Sequence, residues 1–106
     1  MPERIQRKRT NGWRNPPNTI YVGRPGKWGN PFVVGRDGNR EECIGLFRAL
    51  CNGFYCFTRK ARPEDQERLM LAVRDDINEL RGLNLSCFCK EGESCHADIL
   101  LKLANQ

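Results

Sequence analysis

Apolar positions along the chain fall into short runs and two helical periods. Thr19-Ile20-Tyr21-Val22, β-branched and aromatic, predicts a strand. Phe32-Val33-Val34 predicts a second short strand, and Gly35-Arg36-Asp37-Gly38 a turn. Asn39 then reads as an N-cap with Glu42 as its capping-box partner. The helix it opens carries Cys43, Phe47, Leu50 and Cys51 on one face, with Ile44 and Leu46 beside them, and Asn52-Gly53 ends it. Phe54-Tyr55-Cys56-Phe57 is an aromatic link of open state. A second helix starts at Pro63, where Glu64, Asp65 and Glu67 complement the dipole. Its Leu69, Val73, Ile77 and Leu80 recur at helical spacing, and Gly82 ends it. Leu83 to Phe88 predicts the last strand and Lys90 to Ser94 a polar loop. A final helix runs from about Cys95 to Leu103, with Ser94 as N-cap and Ile99, Leu100 and Leu103 towards the core. Strands and helices alternate in the second half. The pattern predicts a small Rossmann-like α/β layered domain with a short, partly parallel sheet and about three helices. Residues 1–18, basic and polar, are expected to be an arm or edge strand, and 19–106 a single domain.

Composition narrows the function classes. A chain of 106 residues has room for one modest core. No apolar run approaches the roughly 20 residues of a membrane span, and the first residues lack the apolar stretch of a secretory signal, so a cytoplasmic setting is expected. The net charge of +5 favours anionic partners such as nucleotides, nucleic acid or phosphorylated metabolites. Arg4, Arg7, Lys8, Arg9 and Arg14 crowd the start of the chain, with Trp13 among them. They form either a solvated arm or a phosphate-contacting one.

Two stretches carry candidate chemistry. Gly23-Arg24-Pro25-Gly26-Lys27-Trp28-Gly29-Asn30-Pro31-Phe32 is neither helix nor strand. Its glycines allow close backbone approach and its prolines stiffen the path. Arg24 and Lys27 suit phosphate, Trp28 suits stacking on a base, and Asn30 suits reading a polar edge. The plainer alternative is a structural turn whose Trp28 and Phe32 close a small core. The other stretch is Cys87-Phe88-Cys89, then five residues, then Cys95-His96. If Cys87 and Cys89 lie on one strand, both side chains share a face. Cys95 and His96 then begin a helix, whose free amides and dipole lower a thiol pKa and attract anions. Three readings stay open. One is a Cys3His zinc site of Cys87, Cys89, Cys95 and His96, against which the spacing speaks. Another is a ligand or catalytic site, with Cys95 or His96 acting on an anionic substrate and Asp98 as general base or dipole partner. The last is buried structural thiols with no cofactor.

The Lys27-Trp28-Gly29-Asn30-Pro31-Phe32 run, the Gly23-Arg24-Pro25 before it and the Cys87-Phe88-Cys89…Cys95-His96-Ala97-Asp98 run together resemble an uncharacterised family of short phage and bacterial proteins, known by a domain-of-unknown-function label. The resemblance covers nearly the whole chain. Phe88 stands where that family often has Trp, and the loop Lys90-Glu91-Gly92-Glu93-Ser94 is longer than its usual one. The resemblance implies no activity; it implies nucleotide metabolism, nucleic-acid modification or interference with host defence as settings, in the cytoplasm of a bacterial host. The first expectation is therefore a protein that binds, and could act on, a nucleotide-like or other phosphorylated ligand. The alternatives are a nucleic-acid-binding module, zinc-stapled or not, and a ligand sponge or host-protein inhibitor. A second copy of the chain could complete the site.

Overall fold

Arg4–Gln6 (β1), Thr19–Tyr21 (β2) and Asn84–Cys87 (β3) form a three-stranded sheet in the order β1-β3-β2. The computed structural model describes residues 2–24, 26–55, 62–90 and 92–106. Both ladders are parallel: Arg4 aligns with Leu85, and Tyr21 with Ser86. A parallel pair cannot close through a tight turn, so the chain between β2 and β3 must cross over through helices. It does so through α1 (Arg40–Cys51), α2 (Pro63–Asp76) and a 3₁₀ turn (Ile77–Leu80); α3 (His96–Ala104) follows β3. The central strand is buried at Leu85, Ser86 and Cys87. Around it lies one core that includes Val22, Trp28, Phe32, Phe47, Leu50, Leu69, Leu80 and Leu100. Among the described residues no helix is long and apolar enough to cross a membrane.

The capping box at α1 forms as the sequence predicts. Asn39 Oδ1 accepts from the Glu42 amide at 2.8 Å, and Glu42 Oε1 accepts from the Asn39 amide at 3.0 Å. Cys43, Ile44, Phe47 and Leu50 are the face it buries. Three expectations need correction. Phe32-Val33-Val34 is not a strand. The Phe32 amide donates to Asn30 Oδ1 and the Val33 amide to Asp37 Oδ2, both at 2.9 Å. Local side-chain acceptors thus take the groups a ladder would use, leaving only a single bridge from Val34 to Gly38. The second helix tightens to 3₁₀ geometry after Asp76 instead of running unbroken to Leu80. Cys95, not Ser94, occupies the N-cap of α3 and makes no side-chain capping bond, while Ser94 Oγ donates to Glu41 Oε1 at 2.9 Å. Phe54 and Tyr55 are exposed, and Cys56 and Phe57 lie outside the described residues.

Candidate functional site

Strands β2 and β3 end side by side, and the start of α3 packs against both ends. His96 Nε2 donates to the Val22 carbonyl at 2.7 Å, just past β2. Cys95 Sγ lies 3.2 Å from Cys87 Sγ, the last residue of β3. The carboxyl edge of a parallel sheet beside a helix N-terminus is where α/β proteins place anionic ligands. A cavity of about 540 Å³ opens there, within the range of small-molecule sites. Gly23, Arg24 and Asn30 line it from the Gly/Pro/Trp loop, and Cys87, Cys89, Cys95 and His96 from the cysteine stretch. The two stretches therefore share one cleft. Arg9 reaches it from the first eighteen residues and Arg40 from the first turn of α1. Tyr21 and Phe88 add aromatic wall, their rings edge to face with centroids 5.9 Å apart.

The loop keeps its shape through close packing. Tyr21 folds back so that its hydroxyl donates to the Arg24 carbonyl at 2.8 Å, and a Cβ at position 23 would collide with that hydroxyl. A side chain at position 23 would therefore have to displace the Tyr21 ring from this bond. Not every loop residue faces the cleft. Trp28 is 4% exposed and belongs to the core, so its ring faces are covered by protein rather than offered for stacking. Lys27 turns away to Asp76 and Glu79, at 3.1 and 2.9 Å. Asn30 lines the cleft, but its Oδ1 is committed to the Phe32 amide. Arg24 is exposed and lines the cleft.

The sulfurs of Cys87, Cys89 and Cys95 lie within 4.8 Å of one another, and the three could hold a metal ion. Cys87 ends β3, the bend after it carries Cys89 alongside, and the loop between Cys89 and α3 brings Cys95 back to them. That loop is fastened by Arg4, whose guanidinium donates to the carbonyls of Glu93 at 2.7 Å and Lys90 at 3.1 Å and pairs with Asp98 at 3.1 Å. The thiols share their protons unequally. Hydrogen bonds from Cys87 and Cys95, then the Arg40 guanidinium, hold Cys89 far below the usual thiol range. Donating to Cys89, then to Cys95, and burial push Cys87 up. Accepting from Cys87 lowers Cys95, but its bond to Cys89 and its burial outweigh that and raise it. Cys89, the thiol so lowered, lies 3.5 Å from Arg40 Nη1.

His96 is buried, which depresses its pKa and keeps the imidazole neutral. Because Nε2 faces a carbonyl, it carries the proton, and Nδ1 is an acceptor 3.7 Å from Cys95 Sγ. His96 is adjacent to the sulfur triplet without being part of it. Asp98 is half exposed on its ion pair with Arg4 and does not line the cleft, so it stands apart from Cys95 and His96. The basic residues at the start divide in the same way. Arg4 is internal, and Arg7 lies over the rings of Trp13, Tyr21 and Phe88 at 4.6–5.5 Å. Lys8, Arg9 and Arg14 are exposed.

Arg40, Tyr21 and Phe88 are cleft residues that the sequence reading did not single out. For Arg40 a signal existed. It sits in the first turn of α1, where a cation opposes the helix dipole, and such a placement needs another reason. Its Nε pairs with Glu93 at 3.1 Å and its Nη1 donates to the Ser94 carbonyl at 3.2 Å.

Outside the cleft, burial pushes the Cys51 thiol up to about 12. At pH 8 its thiolate fraction is then on the order of a thousandfold below that of an ordinary cysteine. Iodoacetamide at pH 8 is expected to leave Cys51 unmodified in the folded protein and to label it after unfolding, as read by peptide mass mapping. Labelling at the rate of a free thiol would show that α1 does not shield it.

No curated protein and no solved structure matches the chain. The model of one family does match, from residue 5 to the end of the chain at 106, and by that match the protein with this cleft belongs to the family of the domain of unknown function DUF4326.

Proposed function

We propose that the protein binds a small anionic ligand with a planar part, a nucleotide or another phosphorylated compound, in the cleft at the carboxyl edge of the sheet. One observation carries this reading: among the described residues that line the cleft, three are arginines (Arg9, Arg24 and Arg40) and none is acidic. Guanidinium groups grip phosphate oxygens with paired donors; Arg40 already pairs with Glu93 and bonds Cys89, which leaves Arg9 and Arg24 to the ligand. Among the described residues no carboxylate pairs with Arg9 or Arg24. The planar part of the ligand would meet Phe88 and Tyr21, not Trp28. Below it the cysteine triplet either carries zinc or presents the Cys89 thiolate as a nucleophile.

Thermal shift with inorganic phosphate, phosphosugars and nucleoside mono-, di- and triphosphates tests this. A ligand at a hundred times its Kd adds about 2.7 kcal/mol and raises the melting temperature. Arg24→Ala is expected to weaken that ligand about tenfold or more without changing the melting temperature of the free protein. If none of the anions shifts the transition, the reading falls. It also falls if a single-stranded oligonucleotide binds with steep salt dependence that Lys8→Ala and Arg14→Ala reduce and Arg24→Ala does not.

A further inference from the structure

We infer that Cys87, Cys89 and Cys95 bind one zinc ion whose fourth coordination position opens into the cleft. Three thiol sulfurs converge within 4.8 Å of one another, with Cys87 and Cys95 3.2 Å apart. Tetrahedral zinc with bonds of about 2.3 Å to sulfur sets neighbouring sulfurs about 3.8 Å apart. The Cys87–Cys95 pair falls about 0.6 Å short of that value and no pair can exceed it by more than about 1 Å, so the ion fits after small movements. None of the described cysteines is in a disulfide, so all three sulfurs keep their lone pairs for a metal.

The ligand count separates two kinds of zinc site. A structural site closes with four protein ligands, whereas a site that works on a ligand keeps three and leaves one position open. Among the described residues no fourth Cys, His, Asp or Glu joins the triplet. His96 is the obvious candidate and is held off. Its Nδ1 comes to 3.7 Å from Cys95 Sγ but falls outside the group of ligand atoms that lie within 4.8 Å of one another. The Nε2 bond to the Val22 carbonyl and the edge-on ring of buried Phe47, centroids 5.2 Å apart, fix the imidazole there. All three cysteines also line the cleft, so the open position faces its contents. Zinc with three thiolates carries one negative charge. Arg40, with Nη1 3.5 Å from Cys89 Sγ, offsets it and orients that ligand. The fourth ligand would be water in the free protein and an anionic oxygen of the bound compound in the complex. Only this exchange rests on the ligand reading above; the metal site stands without it.

The test uses the full chain, purified under reducing conditions without chelator and then titrated with zinc chloride. Native mass spectrometry is expected to find one zinc per chain in the wild type and in Cys51→Ser, and none in Cys89→Ser. Circular dichroism would confirm that each variant is folded. His96→Gln is expected to keep the zinc. With cobalt(II) in place of zinc, the visible bands should change when inorganic phosphate is added. Folded wild type that takes up no zinc, or that closes a Cys87–Cys95 disulfide under reducing conditions instead, overturns the site. Loss of zinc from folded His96→Gln, or cobalt bands indifferent to phosphate, overturns the open position. Zinc uptake alongside a failed anion screen would leave the metal standing and remove the ligand together with its exchange at the fourth position.

Discussion

Replacing Phe47 with alanine is expected to remove about 3–5 kcal/mol of stability. Domains of this kind have about 5–15 kcal/mol in all, so the variant should sit near or past the edge of folding. The reason is position. Phe47 is fully buried on the inner face of α1, and its ring meets the His96 imidazole. A cavity there removes the packing that joins the crossover helix to the start of α3. The loss combines lost apolar transfer with the void that neighbours cannot fill. Phe47→Leu should retain most of the stability, because volume is nearly kept. Urea unfolding followed by circular dichroism would read both as shifts in midpoint at constant slope. A midpoint change worth less than 1 kcal/mol for the alanine variant would mean that α1 is not packed on the core as described.

The second large effect is expected from Arg4→Met. The apolar stem is kept, and the bonds to the Glu93 and Lys90 carbonyls and to Asp98 are lost. A charge-assisted bond to the partly buried Glu93 carbonyl, with smaller contributions from the exposed bonds to Lys90 and Asp98, makes a loss of about 2–3 kcal/mol the right order. The site of the effect matters more than its size. The described residues of loop 90–94 should lose amide protection while α1 and α2 keep theirs, so hydrogen exchange resolved by segment is the measurement. Zinc uptake by the cysteine triplet should weaken as well, because the loop sets where Cys95 arrives. Should Arg4→Met leave the loop protected and weaken only anion binding, Arg4 would be a ligand contact and not a fastening.

Local signals were legible in the sequence wherever the forces are local. The Asn39–Glu42 capping box, Pro63 opening α2, and the β-branched run of β2 all involve neighbours within four residues. The Cys-His pair likewise foretold that α3 would begin beside the cysteines, although the strand expected to carry both Cys87 and Cys89 ends at Cys87, and a bend rather than strand alternation brings Cys89 to the cluster. What the sequence could not supply was each charged or aromatic side chain's partner across the fold. Lys27 looked like a phosphate ligand because Asp76 and Glu79 are about fifty positions away in the chain. Trp28 looked like a stacking platform because the core that absorbs it is built from α1, α2 and β3. Arg4 read as part of a solvated or phosphate-contacting arm and Arg40 was not singled out, yet both reach the loop between Cys89 and Cys95. The Phe32–Val34 strand failed for the opposite reason: Asn30 and Asp37, both close by, outcompeted a distant ladder.

The strand order β1-β3-β2 bears on how the chain comes together in time. β1 and β2 never pair with each other; each waits for β3, with Arg4 finding Leu85 and Tyr21 finding Ser86. On a ribosome the first two strands therefore emerge with nothing to bind, and only α1 and α2 can form ahead of the sheet. Sheet assembly must await the last quarter of the chain and close very long loops at once, which makes it slow for a protein of this size. The cleft inherits that schedule. Arg9 and Arg24 are synthesised early, the cysteines late, and no partly made chain holds the site.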